Sequence, residues 1–312
     1  MNQIVEDAGS LDVFRWPSSS PPSPENLEHA ARLCQGALGS TSVAVVATPY
    51  NHAGWSAQDC IKVSFPSENR SFIAKVPRLV DENSATACKN EAQRASWASQ
   101  HQIGPAVIAI DDLSGAFAME FLSGQTLSAQ MMLQDHLKTC TIGLLRRIHD
   151  APSQHYMQIY NAPAAVKRML QAADKERLLD GDDGLLLESL ITWTFQKVGC
   201  QPTFQTLVPC HNDFHSQNIM LDQQGTLWAI DFEDCDLGDP MWDLGYLTAN
   251  MGLEPLDLAG IYGCNMEQKK RLEVFYYLAI GHCAVWSAIH GPLWTQHYRD
   301  CMLRLRRGWL RL

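Results

Sequence analysis

The sequence predicts an α+β chain of two lobes, a small antiparallel β-sheet lobe followed by a larger, mainly helical one. Three observations predict it. Between residues 41 and 77, three β-like runs are separated by polar turn segments. From Gln125 onward the apolar residues fall mostly at helical spacing. One hairpin pattern, NIML–DQQG–TLWAID, interrupts that helical stretch.

The elements follow in order. Residues 1–25 contain WPSSSPPSPE, and Pro and Ser at this density resist regular structure, which predicts a flexible tail. Helical spacing begins at Asn26, with Gly39 as its stop. The runs TSVAVVATPY (41–50), DCIKVSF (59–65) and SFIAKVP (71–77) read as a meander. A helix over 84–102 comes next, then two short strands in IGPAVIAIDD and GAFAMEFL. SAQMMLQDHLKTCTIGLLRRIHD and LLLESLITWTFQKV are amphipathic helical runs. The lobe boundaries are drawn at 26–122 and 123–312.

With 312 residues and 46% apolar content, the chain can bury a large core. A net charge of −10 argues against nucleic acid as the main partner. The ten scattered cysteines form no CxxC pair and no zinc-spaced cluster, so reduced thiols and a cytoplasmic setting are expected. The N-terminus lacks the basic start and apolar run of a signal peptide, and no apolar stretch reads as a membrane span. The oligomeric state is not legible.

The densest polar cluster is His211-Asn212-Asp213-Phe214-His215-Ser216-Gln217-Asn218, followed by Ile230-Asp231-Phe232-Glu233-Asp234. Asn218 opens the first hairpin strand and Asp231 closes the second, so both emerge at its open end, beside the loop holding Asp213. Few oxygen ligands with room for water and phosphate suit magnesium. Phosphoryl transfer from ATP needs a Lys on the phosphates, a Glu holding that Lys, magnesium, and an Asp for the hydroxyl proton. Lys75 on the third strand and Glu91 on the next helix complete the set.

These residues resemble the aminoglycoside phosphotransferase and choline kinase superfamily. The pattern His-x-Asp-x-x-x-x-Asn is met by His211, Asp213 and Asn218, and Gly-Asp-Pro-x-x-Asp-Leu by Gly238 to Leu244. Met119 to Gly124 matches a hinge, and Leu145 to His149 a further segment. The resemblance implies a protein-kinase-like fold. It implies Asp213 as base, Asn218 and Asp231 as magnesium ligands, and Lys75 on the phosphates. The backbone at Glu120 and Leu122 would hold adenine, and Asp243 would support the catalytic loop. Gly54 alone stands in the phosphate loop, which is poorer in glycine than the family's.

The loop reads HND, as in the choline and ethanolamine kinase branch, and YYLAIGHCAVWSAIHG resembles that branch's aromatic-bearing helix. The expected phosphate acceptor is therefore a small cationic amino alcohol. Trp286, Trp242, Tyr246 and Glu233 are the candidates for its pocket, with Tyr277 and Trp294 as further aromatics. Thiamine or an aminoglycoside on the same fold, an inactive nucleotide-binding scaffold, and a metal-dependent hydrolase are the alternatives.

Overall fold

A computed structural model describes residues 21–39, 46–49, 58–78, 82–199 and 207–311. Most of the predicted tail, the phosphate loop and Gly54 lie outside these residues. The chain divides into two compact units. The first holds the residues up to Ala92 together with Val107–Phe121, and the second holds Gln93–Ala106 and Leu122–Leu312.

The first unit opens with α1 (Pro24–Leu38). It begins two residues earlier than the spacing suggests, because Ser23 Oγ accepts from Asn26 N at 3.1 Å and Pro24 takes the first helical turn. It ends at Gly39, whose φ of 59° is the left-handed conformation that glycine adopts freely. Five strands follow: β1 (Val46–Pro49), β2 (Gln58–Phe65), β3 (Arg70–Pro77), β4 (Val107–Ile110) and β5 (Phe117–Glu120). They form one antiparallel sheet in the order β1-β2-β3-β5-β4. Ile61, Val63 and Phe65 of β2 alternate inward, as one buried face requires, and pack with Phe72, Ala74 and Val76 of β3. Ala30 and Cys34 of α1 close this core. Helix α2 (Glu82–Gln100) starts in the first unit and ends in the second, so residues 93–106 leave the lobe drawn from the sequence.

The second unit is mostly helical: α3 (Asp135–Asp150), α4 (Ala162–Lys175), α5 (Gly181–Val198), α6 (Pro240–Asn250), α7 (Ala259–Tyr262), α8 (Met266–Ile289) and α9 (Thr295–Arg307). The expected hairpin is present as β8 (Ile219–Asp222) and β9 (Leu227–Ala229). Asp222 Oδ1 accepts from Gln224 N and Thr226 N and pins its turn. The hairpin has company that the pattern did not reveal. β6 (Gly124–Thr126) extends its sheet, and β7 (Val208–Cys210) pairs with β10 (Asp236–Gly238). Three residues are too few to leave a period-two signature.

Helix α8 corrects a second expectation. It is long and apolar enough to cross a membrane, yet most of it is buried against α4, α5, α6 and α9. It is the central helix of this unit. Gly245 lets α6 approach it closely: a Cβ there would lie 2.9 Å from Tyr276 N and 3.0 Å from the Phe275 carbonyl carbon. Backbone atoms cannot swing aside, so Gly245→Ala should destabilise the protein by about 1–3 kcal/mol. A urea midpoint equal to that of the unsubstituted protein would contradict this contact.

Candidate active site

In the first unit, β3 carries Lys75 opposite Cys60 of β2, and α2 carries Glu91. Both side chains are buried, and Lys75 Nζ donates to Glu91 Oε1. Gln58 Nε2 donates to the other Glu91 oxygen at 2.7 Å. The carboxylate is thus held from two sides, and an ammonium in so dry a place requires such a partner. The two predicted residues therefore meet. Glu120 ends β5 with an exposed side chain, and Phe121 N donates to Ser71 O just beyond it. Leu122 falls in the second unit.

In the second unit, the loop from His211 to Asn218 is fixed from below. Asp243, fully buried on α6, accepts from His211 N at 2.8 Å and from Asn212 N at 2.7 Å. His149 Nε2 reaches the same carboxylate at 3.1 Å, and His149 Nδ1 lies 2.7 Å from the Tyr262 hydroxyl. His211 is a packing residue: its ring sits between Phe214 and Phe232, and its Nε2 lies 2.9 Å from Ile230 O.

Asn212 has a φ of 64°, in the left-handed region where Gly and Asn are favoured. Its side chain adds a link, donating to Asp234 O at 2.8 Å. The middle residue of the HND loop is thus chosen first by backbone conformation, which weakens it as a marker of one substrate branch.

Asn218 closes a short 3₁₀ turn, and its Nδ2 donates to Asp213 Oδ2 at 2.8 Å and to Asp213 O at 3.0 Å. With both amide hydrogens directed at Asp213, its Oδ1 is left as an oxygen ligand. Ile230 N donates to Asn218 O, which sets Asp231 beside Asn218 at the open end of the hairpin. Asp231 itself takes a φ of 67°. One amide oxygen and one carboxylate fit magnesium, which keeps several waters and substrate oxygens in its shell.

His215 Nε2 lies 3.4 Å from Asp213 Oδ2. Burial would raise the Asp213 carboxyl, but His215, with help from His211 and His282, outweighs it and holds the group at about 2. Burial works against the His215 imidazolium in turn, yet Asp213 and Asp231 raise it above its ordinary value.

The four residues expected in the acceptor pocket have different fates. Tyr246, on α6, turns its ring toward His215 at 6.2 Å. Trp242 is 1% exposed, and its Nε1 donates to Asn212 O at 3.0 Å. It braces the loop from beneath. Trp286 is half-buried and stacks on His290 at 3.7 Å, with Trp294 perpendicular at 4.8 Å. Glu233 is exposed, and its carbonyl accepts from Arg94, which also donates to Asp236 Oδ2 at 2.5 Å. Tyr277 turns toward Gly308 instead. One residue absent from the sequence reading is His282 of α8, whose ring lies 5.3 Å from Tyr246 and 6.0 Å from Trp242. Its place one helical turn before Trp286 was the available signal.

The model of the phosphotransferase enzyme family matches residues 53–262. No curated protein sequence matches the chain. Among solved structures, a choline kinase from Cryptosporidium parvum Iowa II aligns with a TM-score of 0.72 at 13% identity, covering 91% of this chain and 96% of its own. A choline/ethanolamine kinase family protein from Mesorhizobium loti gives 0.68 at 16% identity, covering 90% and 93%. An aminoglycoside phosphotransferase from Streptomyces rimosus gives 0.55 at 19% identity, covering 81% and 98%. At these identities the likeness is one of fold, and the fold is kinase-like.

Asp243→Ala leaves two buried N–H groups unpaired and should cost about 2–5 kcal/mol of stability in denaturant titration; a loss under about 0.5 kcal/mol would contradict the anchoring role. The folded Asp213 value lies below its ordinary 3.8, so its contribution to stability is present above about pH 4 and fades as pH falls through about 2. Asp213→Asn should flatten that acid limb, and an unchanged limb would contradict the pairing.

Proposed function

The chain belongs to the phosphotransferase enzyme family, and from that premise we propose that it transfers the γ-phosphate of ATP to a hydroxyl of a cationic amino alcohol such as ethanolamine or choline. The observation that carries the reading is the joining of Asp213 to Asn218 at the open end of the hairpin, beside Asp231. A hydroxyl seated at the Asp213 carboxylate hands its proton to it. In a loose transition state the base mainly orients the nucleophile and takes its proton late, so a carboxylate held at low pKa suffices.

Asn218 and Asp231 are the residues that would hold magnesium, which neutralises the β- and γ-phosphate oxygens when bound. Lys75, braced by Glu91 and through it by Gln58, is the cation for the α- and β-phosphates. The backbone at Glu120 and Leu122 is assigned to adenine, as in the sequence expectation. The carboxylates favour a positively charged acceptor: Asp213 and Asp231 lie near enough to Asp234 to act on its charge. A cytoplasmic setting belongs to the same reading and agrees with the nine described cysteines, all free thiols. Thiamine or an aminoglycoside is the alternative acceptor, and the likeness to an aminoglycoside phosphotransferase keeps it in view. An inactive scaffold would have no use for a complete Lys75, Glu91, Asp213, Asn218 and Asp231 set.

The test is ADP release from magnesium-ATP with ethanolamine, choline, thiamine and several aminoglycosides. Turnover with an amino alcohol is expected, lost by at least about a thousandfold in Asp213→Ala while ATP still binds by thermal shift. Turnover retained in Asp213→Ala would remove the base assignment, and turnover with aminoglycosides alone would replace the acceptor.

A further inference from the structure

A wall of rings stands beside Asp213. Tyr246 and Trp242 of α6, His282 of α8 and His215 of the loop are in ring contact: Trp242 to Tyr246 at 5.2 Å, Tyr246 to His282 at 5.3 Å, Trp242 to His282 at 6.0 Å and His215 to Tyr246 at 6.2 Å. A quaternary ammonium group would require open aromatic faces within about 6 Å. Those faces are largely occupied. Trp242 is sealed beneath the loop, and Trp286 carries His290 on one face and Trp294 against it.

His282 presents something different. Its Nδ1 is cut off from solvent and has no hydrogen-bond partner among the described residues. Its Nε2 is not sealed in that way and makes no hydrogen bond to a described residue either, which leaves it as the nitrogen with a free position. Burial lowers the ring to about 4 against the opposing pull of Asp213. The imidazole is therefore neutral at physiological pH and adds no repulsion to a cationic guest. In the tautomer with its proton on Nδ1, Nε2 offers a lone pair.

We propose that His282 is a specificity-determining residue of the acceptor pocket, its Nε2 accepting a hydrogen bond from an N–H of the substrate's ammonium group, so that a primary ammonium alcohol is selected over a quaternary one. This rests on the cationic amino alcohol reading given above. A trimethylammonium group has no N–H to offer, and it leaves the ring nitrogen unpaired while pressing methyl groups against it. Sites built to hydrogen-bond a polar group discriminate strongly against an analogue that lacks it.

The experiment compares kcat/KM for ethanolamine and choline, with magnesium-ATP, in the unsubstituted protein, His282→Phe and His282→Gln. The protein should prefer ethanolamine by about tenfold or more. His282→Phe keeps a ring but no nitrogen, and should bring the two substrates to within about twofold by raising the ethanolamine KM, with the ATP KM unmoved. His282→Gln, whose amide oxygen can replace Nε2, should retain part of the preference. Equal use of both substrates by the unsubstituted protein, or a preference unchanged in His282→Phe, would overturn the assignment while leaving the amino alcohol reading intact. Turnover of neither substrate would overturn that reading and this inference with it. Should His282→Phe fail to fold, the unsubstituted ratio and His282→Gln still decide the matter.

Discussion

The buried carboxylate of Asp243 is the constraint on which the site geometry depends. It has no solvent to satisfy it, so it takes the two backbone N–H groups of His211 and Asn212 and the ring of His149. Those bonds fix where the loop begins. The left-handed turn at Asn212 then directs the chain, and Trp242 beneath it donates to Asn212 O. Asp213 emerges next, and Asn218 ties the far end of the loop back to it. A carboxylate on one helix thus positions a carboxylate on a loop without touching it.

Electrostatics are arranged in the same hierarchical way. Lys75 and Glu91 are both buried and satisfy each other, and Gln58 takes up the remaining carboxylate oxygen. Breaking one partner of such a pair leaves a buried charge, which is far costlier than losing an exposed pair. Around Asp213 the balance is set by two imidazoles of opposite tendency: His215 is raised by the carboxylates beside it, and His282 is lowered by burial. One can carry charge against Asp213; the other stays neutral beside whatever binds.

Much of this was legible in the sequence, for identifiable reasons. β2 and β3 were readable because β-rich runs bounded by polar turn residues are a strong signal, and Lys75 inherited its place from β3. Asp213, Asn218 and Asp231 were readable because hairpin arithmetic brings its two ends together. The pairs β6 with β8 and β7 with β10 were not, since three-residue strands carry no period. The aromatic candidates could not be told apart in the sequence. Sequence marks Trp242, Tyr246 and Trp286 alike, and only the fold shows that they meet different partners: the Asn212 carbonyl, the His215 ring and the His290 ring. His282 was hidden for the same reason: a histidine in an apolar helix looks like a core residue until the neighbouring α6 is in place.

Phosphorus NMR of magnesium-ATP with the protein and ethanolamine tests the central claim most directly. The account predicts loss of the γ-phosphate signal matched one for one by a new phosphomonoester resonance, and neither change with Asp213→Asn. A γ-phosphate signal that persists with the intact protein, or that passes only to inorganic phosphate, would contradict it.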